Sequence, residues 1–428
     1  MSGIVGVTTD RYGNAAHYII YGLYALQHRG QVNTGVVLLD SNQLVMKKGS
    51  GQINSLFPDN ISMNLPGDRG LGHVKYGEYR KYDIEQPILP KEYDINGVNC
   101  MISLDGNILN PDFSLYKLTK ALNSSLAEGK AYLSKLQGAF AGIYMDPYKM
   151  IGFRDPYGLK PICAGRLNEG YILASETCAI DSCGADLIRA LDLGEMVVIQ
   201  DKKIDFYKYS EQKTKKSCVF ELVYIARPDS YLEDVSVYRA RNRMGQKLYE
   251  EYPTDGDIVM GAPDSGLIAA IGYAEASQIP YKDGIIKNRY IGRTFLTTNE
   301  EERLKDIYIK LNPVKEVLKD QRIILIDDSI IKGSTSRRTV KMLREAGAKE
   351  VHVRISSPMY RYTCNLSMDV PQEEALMAHN KTCEQIRKEI GADSLYYLSY
   401  EGLLEACKGS EFCDHCITGN YPIDYSEN

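Results

Sequence analysis

The chain has 428 residues, of which 44% are hydrophobic and 25% charged, a composition typical of a globular protein with two or three domains. Its net charge of −5 argues against a nucleic-acid-binding surface as the main function, because such surfaces carry an excess of Lys and Arg. No apolar run approaches the roughly 18 residues that span a bilayer, and the first residues lack a secretory signal pattern, so we expect a cytoplasmic protein without membrane contact.

The first half of the chain predicts a β-rich domain, in which short apolar runs alternate with turns as in antiparallel sheets. The predicted strands are 3–8, 35–39, 141–145, 150–153, 161–166, 171–175, 194–199 and 204–209, and the predicted helices are 15–27 and 112–139. The basic, apolar-poor segment 213–216 is the predicted boundary. It divides the chain into domains 1–215 and 216–428.

The second half alternates strand and helix patterns, which predicts a parallel α/β sheet with ligands at the carboxyl ends of its strands. The predicted strands are 258–261, 322–326 and 351–356, and the predicted helices are 239–251, 267–277 and 339–346. The remainder, 371–428, is helical and then loop-like.

The sequence RIILIDDSIIKGSTSRR, at 322–338, carries the clearest functional pattern. Asp327 and Asp328 end the strand, and Gly333, Ser334 and Thr335 precede the helix. A loop of this kind at a helix N-terminus binds anions, because unpaired N–H groups and the helix dipole point at the ligand. Two carboxylates repel phosphate, so they indicate ribose hydroxyls or a Mg²⁺ ion on the same ligand. The pattern predicts a sugar-phosphate site with magnesium; an acidic turn before a helix cap is the alternative.

Two further segments fit a phosphate ligand. GAPDSG, at 261–266, repeats the strand, glycine turn and helix start, although Pro-Asp-Ser-Gly is also ordinary turn chemistry. KNRYIGRTF, at 287–295, carries three cations between the two loops and predicts a cationic flap over a polyphosphate; a solvated basic face is the alternative. The chain contains neither a Walker A nor a dinucleotide-binding pattern.

These motifs, in this order, resemble type I phosphoribosyltransferases. Over nearly the whole chain the sequence resembles the amidophosphoribosyltransferase (glutamine phosphoribosylpyrophosphate amidotransferase) family, which performs the first step of purine synthesis. The motifs that carry this resemblance in the first half are LQHRGQ (26–31), GHVKY (72–76), GNILN (106–110), RDPYGLKP (154–161), ASETCAID (174–181) and LGEMVVI (193–199). In the second half they are CVFELVYIARPDS (218–230), the three phosphate segments and AGAKEVHVRISSP (346–358). The resemblance implies an α+β N-terminal nucleophile hydrolase-like domain, an αββα sandwich, followed by an α/β type I phosphoribosyltransferase domain.

The resemblance also implies roles for individual residues around phosphoribosylpyrophosphate. Lys332 stands where the family has arginine, which keeps the charge and loses the bidentate geometry. The implied pyrophosphate and magnesium site is Asp264, Ser265 and Gly266; the ribose and metal site is Asp327 and Asp328; the 5′-phosphate site is Ser329, Lys332, Gly333, Ser334 and Thr335; the flap cations are Lys287, Arg289 and Arg293.

Cys413 and Cys416 form a CxxC pair in the C-terminal tail, a spacing typical of metal or redox sites. Some members of the family carry a [4Fe–4S] cluster, and by resemblance its four ligands here are Cys218, Cys364, Cys413 and Cys416. A zinc site, or no site, is the alternative for the CxxC pair alone. The ten cysteines of a cytoplasmic chain are not expected to form a disulfide framework.

The chain departs from the family in the glutaminase pocket. The family's nucleophile is an N-terminal cysteine, and Ser2 stands in its place; a hydroxyl is a much poorer nucleophile at neutral pH. Lys75 replaces the arginine that grips the glutamine carboxylate, and Gly77 and Glu78 replace a Ser-Thr pair. The oxyanion-hole Asn-Gly is Asp105 and Gly106, which puts negative charge where an oxyanion would develop. We therefore predict that glutamine hydrolysis is lost.

Two functions remain as hypotheses. In the first, the protein forms 5-phosphoribosylamine from phosphoribosylpyrophosphate with ammonia, with purine nucleotides as candidate inhibitors. In the second, it is an impaired paralog that regulates or scaffolds an active amidotransferase. Either a homo-oligomer or a hetero-oligomer with an active paralog is expected. A DNA-binding regulator is disfavoured by the net charge and by the lack of a DNA-binding motif.

Overall fold

A computed structural model of the protein describes residues 1–10, 14–40, 42–58, 65–76, 88–212, 214–288, 311–368, 370–409 and 411–423. In these ranges, no helix combines the length and the apolar character that a membrane crossing requires.

The N-terminal half contains two antiparallel sheets packed face to face, with Ile4, Val37, Leu71, Ile143 and Val197 buried between them. Seven of the described strands form the first sheet, in the order Asp186–Ala190, Cys163–Leu167, Gly170–Ala174, Ser2–Thr9, Arg69–Lys75, Asn33–Asp40 and Gln43–Ser50. Six described strands form the second, in the order Lys203–Lys208, Glu195–Gln200, Lys149–Arg154, Gly138–Met145, Val98–Ile108 and Lys91–Ile95.

Helices cover the outer faces of both sheets. Ala15–Ala25 and Thr177–Ser182 pack on the first sheet, and Leu115–Ser124 and Leu126–Leu133 pack on the second. This arrangement confirms the predicted αββα sandwich. The single helix predicted over 112–139 was wrong: Ser125 caps a second helix by accepting the N–H of Glu128 at 3.2 Å. The chain then enters the next strand at Gly138.

In the C-terminal half, four described strands form a parallel sheet in the order Ile258–Gly261, Arg322–Asp327, Glu350–Ile355 and Ser394–Tyr397. Their apolar β-branched residues are buried on both faces, because helices lie on either side. Val237–Glu251, Leu267–Ser277 and Tyr400–Cys407 contribute to one core, and Ser334–Glu345 and Cys383–Ile390 to the other. The predicted α/β domain is confirmed; its last strand, Ser394–Tyr397, was not predicted.

Three small strand pairs complete the sheets of the described chain: Ile285–Lys287 with Leu311–Pro313, Tyr231–Leu232 with Val235–Ser236, and Ser217–Cys218 with Phe412–Cys413. The remaining short helical segments are Gln27–Arg29, Ile53–Leu56, Glu221–Ile225, Lys315–Leu318, Glu373–Ala375 and His415–Thr418.

Candidate functional site

The two predicted phosphate loops lie side by side at the carboxyl edge of the parallel sheet. The N–H of Ala262 donates to the carbonyl of Ile326 at 2.8 Å, which joins the loop after Gly261 to the neighbouring strand. A Cβ atom on Gly266 would lie 2.3 Å from the same carbonyl oxygen. Glycine at this position therefore permits the close contact between the two loops, and one ligand can reach both.

Asp327 and Asp328 form a carboxylate pair at the end of the central strand. The N–H of Asp328 donates to Asp327 Oδ1 at 2.9 Å, and the hydroxyl of Ser329 donates to Asp328 Oδ2 at 2.5 Å. Burial raises the pKa of Asp327, and the charge of Asp328 raises it further. A cation or a pair of ligand hydroxyls at this point would relieve the repulsion between the two carboxylates.

The loop between Ser329 and Thr335 runs directly into the helix Ser334–Glu345. The sequence predicted a helix from Thr339, so the predicted start was wrong, and Ser334 and Thr335 belong to the first turn. Gly333 precedes the helix with a φ of 72°, and no described side chain caps its N-terminus. The N–H groups of this first turn therefore point into the site, where an anion can accept them.

Cations lie on both sides of these loops. Lys287 forms an ion pair with Asp264, so the first residue of the predicted flap contacts the predicted pyrophosphate loop. Arg289 and Arg293 lie outside the described residues. Lys332 lines a cavity of about 140 Å³, together with Met377, His379, Lys381 and other residues of the segment that follows the parallel sheet.

In the N-terminal half, Asp105 is fully buried at the position predicted for the oxyanion hole. Its Oδ2 lies 3.3 Å from Lys160 Nζ and 3.6 Å from Arg29 Nη2. Burial opposes its ionisation, but Lys160 and Arg29 outweigh burial and lower the pKa of Asp105. The neighbouring Gly106 has a φ of 117°, and a Cβ there would lie 1.9 Å from the Ala139 carbonyl oxygen, so this position requires glycine.

Ser2 is buried beside this carboxylate region, in a strand that pairs it with Lys75. Arg29 Nε donates to the Ser2 carbonyl oxygen at 2.9 Å. Gly77 and Glu78 lie outside the described residues. Ser2 and Lys75 are thus strand partners, and Arg29 links the Ser2 backbone to Asp105.

Arg29 is fully buried and binds two carboxylates in this region. The sequence did not predict this role. Nη1 donates to Glu176 at 2.7 Å, and both Nη atoms bind Glu221, at 2.9 and 2.7 Å. Although burial lowers the pKa of Arg29, Glu221 and Glu176 raise it well above its usual value. Glu221 lies in the second half of the chain, so this buried network joins the two halves. The LQHRGQ motif contains Arg29, but its partners Glu176 and Glu221 are distant in sequence, so the motif alone did not predict the network.

The four predicted cluster cysteines lie together in one core and are all buried. Cys218 and Cys413 are partners in the short parallel strand pair. Burial raises the pKa of Cys416, and the charges of Cys218, Cys364 and Cys413 raise it further, because all three are its neighbours. No three described His, Cys, Asp or Glu side chains converge as ligands of a single metal ion would. A [4Fe–4S] cluster is instead ligated at four separate irons.

The donor set of these cysteines fits such a cluster. Cys364 Sγ accepts the N–H groups of Ser367 and Met368 at 3.3 and 3.4 Å. Burial raises the pKa of Cys218 to about 12, and the N–H of Phe220 opposes this rise. Backbone N–H groups that donate to cysteine sulfur shift the reduction potential of Fe–S clusters.

Two domain families match parts of the chain. Residues 94–182 match the glutamine amidotransferase domain family, and residues 229–357 match the phosphoribosyl transferase domain family. The amidophosphoribosyltransferase of Archaeoglobus fulgidus is 37% identical over 99% of this chain and 98% of its own length. That of Synechococcus elongatus is 40% identical over 96% of this chain and 89% of its own. The chain belongs to the amidophosphoribosyltransferase family.

Solved structures agree with this assignment. The Bacillus subtilis glutamine phosphoribosylpyrophosphate amidotransferase, solved with ADP and GMP, superposes with a TM-score of 0.88 and 36% identity. The alignment covers 99% of this chain and 97% of that one. As a member of the amidophosphoribosyltransferase family, the protein is a phosphoribosyltransferase enzyme of purine biosynthesis.

Proposed function

We propose that this amidophosphoribosyltransferase forms 5-phosphoribosylamine from phosphoribosylpyrophosphate with ammonia rather than glutamine. The observation that carries the proposal is the buried Asp105 carboxylate, whose pKa is lowered by Lys160 and Arg29. An anion at this point repels the oxyanion of an amide-hydrolysis intermediate, the reverse of what glutaminase chemistry needs. Ser2 adds a weaker nucleophile in place of the cysteine.

The phosphoribosyl chemistry rests on the paired loops of the C-terminal half. The first turn of the helix Ser334–Glu345 would hold the 5′-phosphate, with Ser329, Lys332 and Gly333 beside it. Asp327 and Asp328 would accept hydrogen bonds from the ribose hydroxyls and share a Mg²⁺ ion with Ser265. The ion would neutralise charge on the departing pyrophosphate. Lys287, Asp264 and Gly266 would orient that pyrophosphate, so that displacement at the anomeric carbon proceeds by positioning and charge stabilisation.

The same proposal includes a [4Fe–4S] cluster on Cys218, Cys364, Cys413 and Cys416, cytoplasmic location and a homo-oligomeric assembly. The support for the cluster is that the four cysteines are buried in one core, where Cys218 and Cys413 are partners in a strand pair. The Bacillus subtilis relative was solved with ADP and GMP, which makes purine nucleotides the candidate inhibitors of this chain.

The deciding assay measures pyrophosphate release from phosphoribosylpyrophosphate and Mg²⁺, with ammonia or glutamine as nitrogen donor. We expect release with ammonia, a rate that rises with pH as the unprotonated fraction grows, and no glutamate from glutamine. Ser2→Ala should leave the ammonia-dependent rate unchanged. Glutamate release that Ser2→Ala abolishes would refute the loss of glutaminase activity.

A second function is favoured by Lys332, which cannot form the bidentate phosphate contact of arginine. Under it, the protein is an impaired paralog that binds phosphoribosylpyrophosphate or nucleotide and pairs with an active amidotransferase. This function would be favoured if ammonia caused no pyrophosphate release and if an active amidotransferase co-purified with the protein from the native cell. A homo-oligomer without such a partner would count against it.

A further inference from the structure

The hydroxyl of Tyr360 is an unexplained polar group beside the four cysteines. The Tyr360 side chain is fully buried, and its hydroxyl has no hydrogen-bond partner among the described residues. A buried hydroxyl without a partner has lost its hydrogen bonds to water and gained none in return, so native proteins seldom leave one in place without a reason.

Backbone contacts hold the segment that follows Tyr360 against Cys416. The N–H groups of Arg361 and Tyr362, which follow Tyr360, both donate to the Cys416 carbonyl oxygen, at 2.8 and 3.1 Å. The Tyr360 ring packs edge-on against Phe220, which follows Cys218 closely in sequence, with the ring centroids 5.0 Å apart. The segment is therefore fixed from two sides.

Tyr360 lies in the same buried core as Cys218, Cys364, Cys413 and Cys416. Burial raises the pKa of Tyr360, and the charges of Cys416, Cys364 and Cys218 raise it further, in that order. Cys364 already accepts two backbone N–H groups. The Tyr360 hydroxyl is therefore a donor without an acceptor among the described residues, in the core that holds the four cysteines.

We propose that Tyr360 Oη donates a hydrogen bond to a sulfur atom of the [4Fe–4S] cluster and thereby raises the reduction potential of the cluster. The inference rests on the cluster proposed above. A hydrogen bond to sulfur withdraws electron density and stabilises the more negative, reduced state. It also explains why a hydroxyl is retained where the ring alone would fill the space.

The test compares wild type with Tyr360→Phe, which keeps the ring and removes only the hydroxyl. Both proteins are purified anaerobically, and their iron and sulfide contents, EPR-monitored midpoint potentials and resonance Raman spectra are measured. We expect equal iron and sulfide, a more negative midpoint potential in Tyr360→Phe, and Fe–S stretching bands that shift in D₂O for wild type more than for the variant.

Tyr397→Phe is the matched control. Tyr397 also carries a buried hydroxyl without a partner among the described residues, but its ring lies in the other core of the same half. We expect this variant to keep the wild-type potential. If the cluster of Tyr360→Phe has the same midpoint potential and the same D₂O shift as that of wild type, the inference is overturned. The proposal of the cluster itself is then unaffected. Wild type without iron and sulfide would overturn both.

Discussion

The carboxylate of Asp105 lies 3.3 Å from the ammonium group of Lys160, and both side chains are fully buried. Lys160 Nζ also donates to the carbonyl of Ser367, from the second half of the chain, at 3.4 Å. The pair is thus part of the contact between the two halves as well as of the predicted oxyanion-hole position. Two opposite charges held out of water stabilise each other only while both are present.

Asp105→Asn is expected to lower the free energy of unfolding by about 3 kcal/mol, because it leaves the Lys160 ammonium group buried beside a neutral amide. The double variant Asp105→Asn/Lys160→Met should recover at least half of that loss. Chemical denaturation of wild type, both single variants and the double variant gives the coupling energy. Strictly additive effects would show that the pair does not interact.

Acid is expected to destabilise the protein through His73. Burial lowers the pKa of this buried imidazole from 6.5 to about 3, so the unfolded state binds its proton over that interval and the folded state does not. The contribution of His73 to stability is therefore complete above pH 6.5 and is lost as the pH falls towards 3. The expected slope is about 1.4 kcal/mol per pH unit.

The measurement compares unfolding free energies of wild type and His73→Gln at several pH values in that interval. Gln retains a polar partner for Ser103, whose hydroxyl lies 2.9 Å from His73 Nδ1. The unfolding free energy of the variant should depend less steeply on pH, because one proton fewer is taken up on unfolding. Equal slopes would mean that His73 titrates normally in the folded protein.

Arg29→Lys is expected to weaken the connection between the two halves. A lysine supplies one compact charge where the guanidinium binds Glu176 and Glu221 together, so about 3 kcal/mol of stability should be lost. Calorimetry should show the unfolding transition splitting into two.

The control for this change is Arg344→Lys, in an ion pair with Asp393 at 2.7 Å in which both side chains are more than a third exposed. That variant should lose no more than about 1 kcal/mol and keep the wild-type pattern of transitions. Identical behaviour of the two variants would contradict a special role for Arg29.

Gly333→Ala is expected to impair phosphoribosylpyrophosphate use. Its φ of 72° disfavours alanine, and the new Cβ would lie 2.2 Å from Met377 Sδ, so the Met377 side chain or the loop before the helix must shift. We expect KM for phosphoribosylpyrophosphate to rise at least tenfold, equivalent to about 1.4 kcal/mol.

Gly391→Ala shares the backbone strain, with a φ of 78°, but its Cβ would meet nothing closer than Val340 Cγ1 at 4.0 Å. Both variants should lose about 1–2 kcal/mol of stability, and only Gly333→Ala should change KM. A matching KM change in both would indicate a general loss of folded enzyme.

Local patterns were sufficient to predict the strand and the helix on either side of the first predicted phosphate loop. Ile258–Gly261 and Leu267–Ser277 have the predicted bounds, because a short buried strand, a glycine turn and a helix are each encoded by neighbouring residues. The start of the helix Ser334–Glu345 was misplaced, because Ser and Thr are weak helix formers and Gly333, in the left-handed region, provides the actual turn.

Sequence patterns could not predict which partners the buried charged side chains contact. Arg29 meets Glu221 only after the two halves of the chain pack together, and Lys160 reaches Asp105 and Ser367 in the same way. Tyr360 likewise has an ordinary tyrosine's sequence context, and only its burial beside the cysteines distinguishes it. Such partners depend on tertiary packing, which local periodicity does not specify.

The short parallel pairing of Ser217–Cys218 with Phe412–Cys413 has a consequence for the order of assembly in the cell. A ribosome makes the chain from its N-terminus, and domains generally fold as they emerge. Cys218 therefore leaves the exit tunnel well before Cys413 and Cys416, because nearly the whole second domain is synthesised between them. Any metal group that needs all four thiols can be inserted only into a chain that has been translated through Cys416.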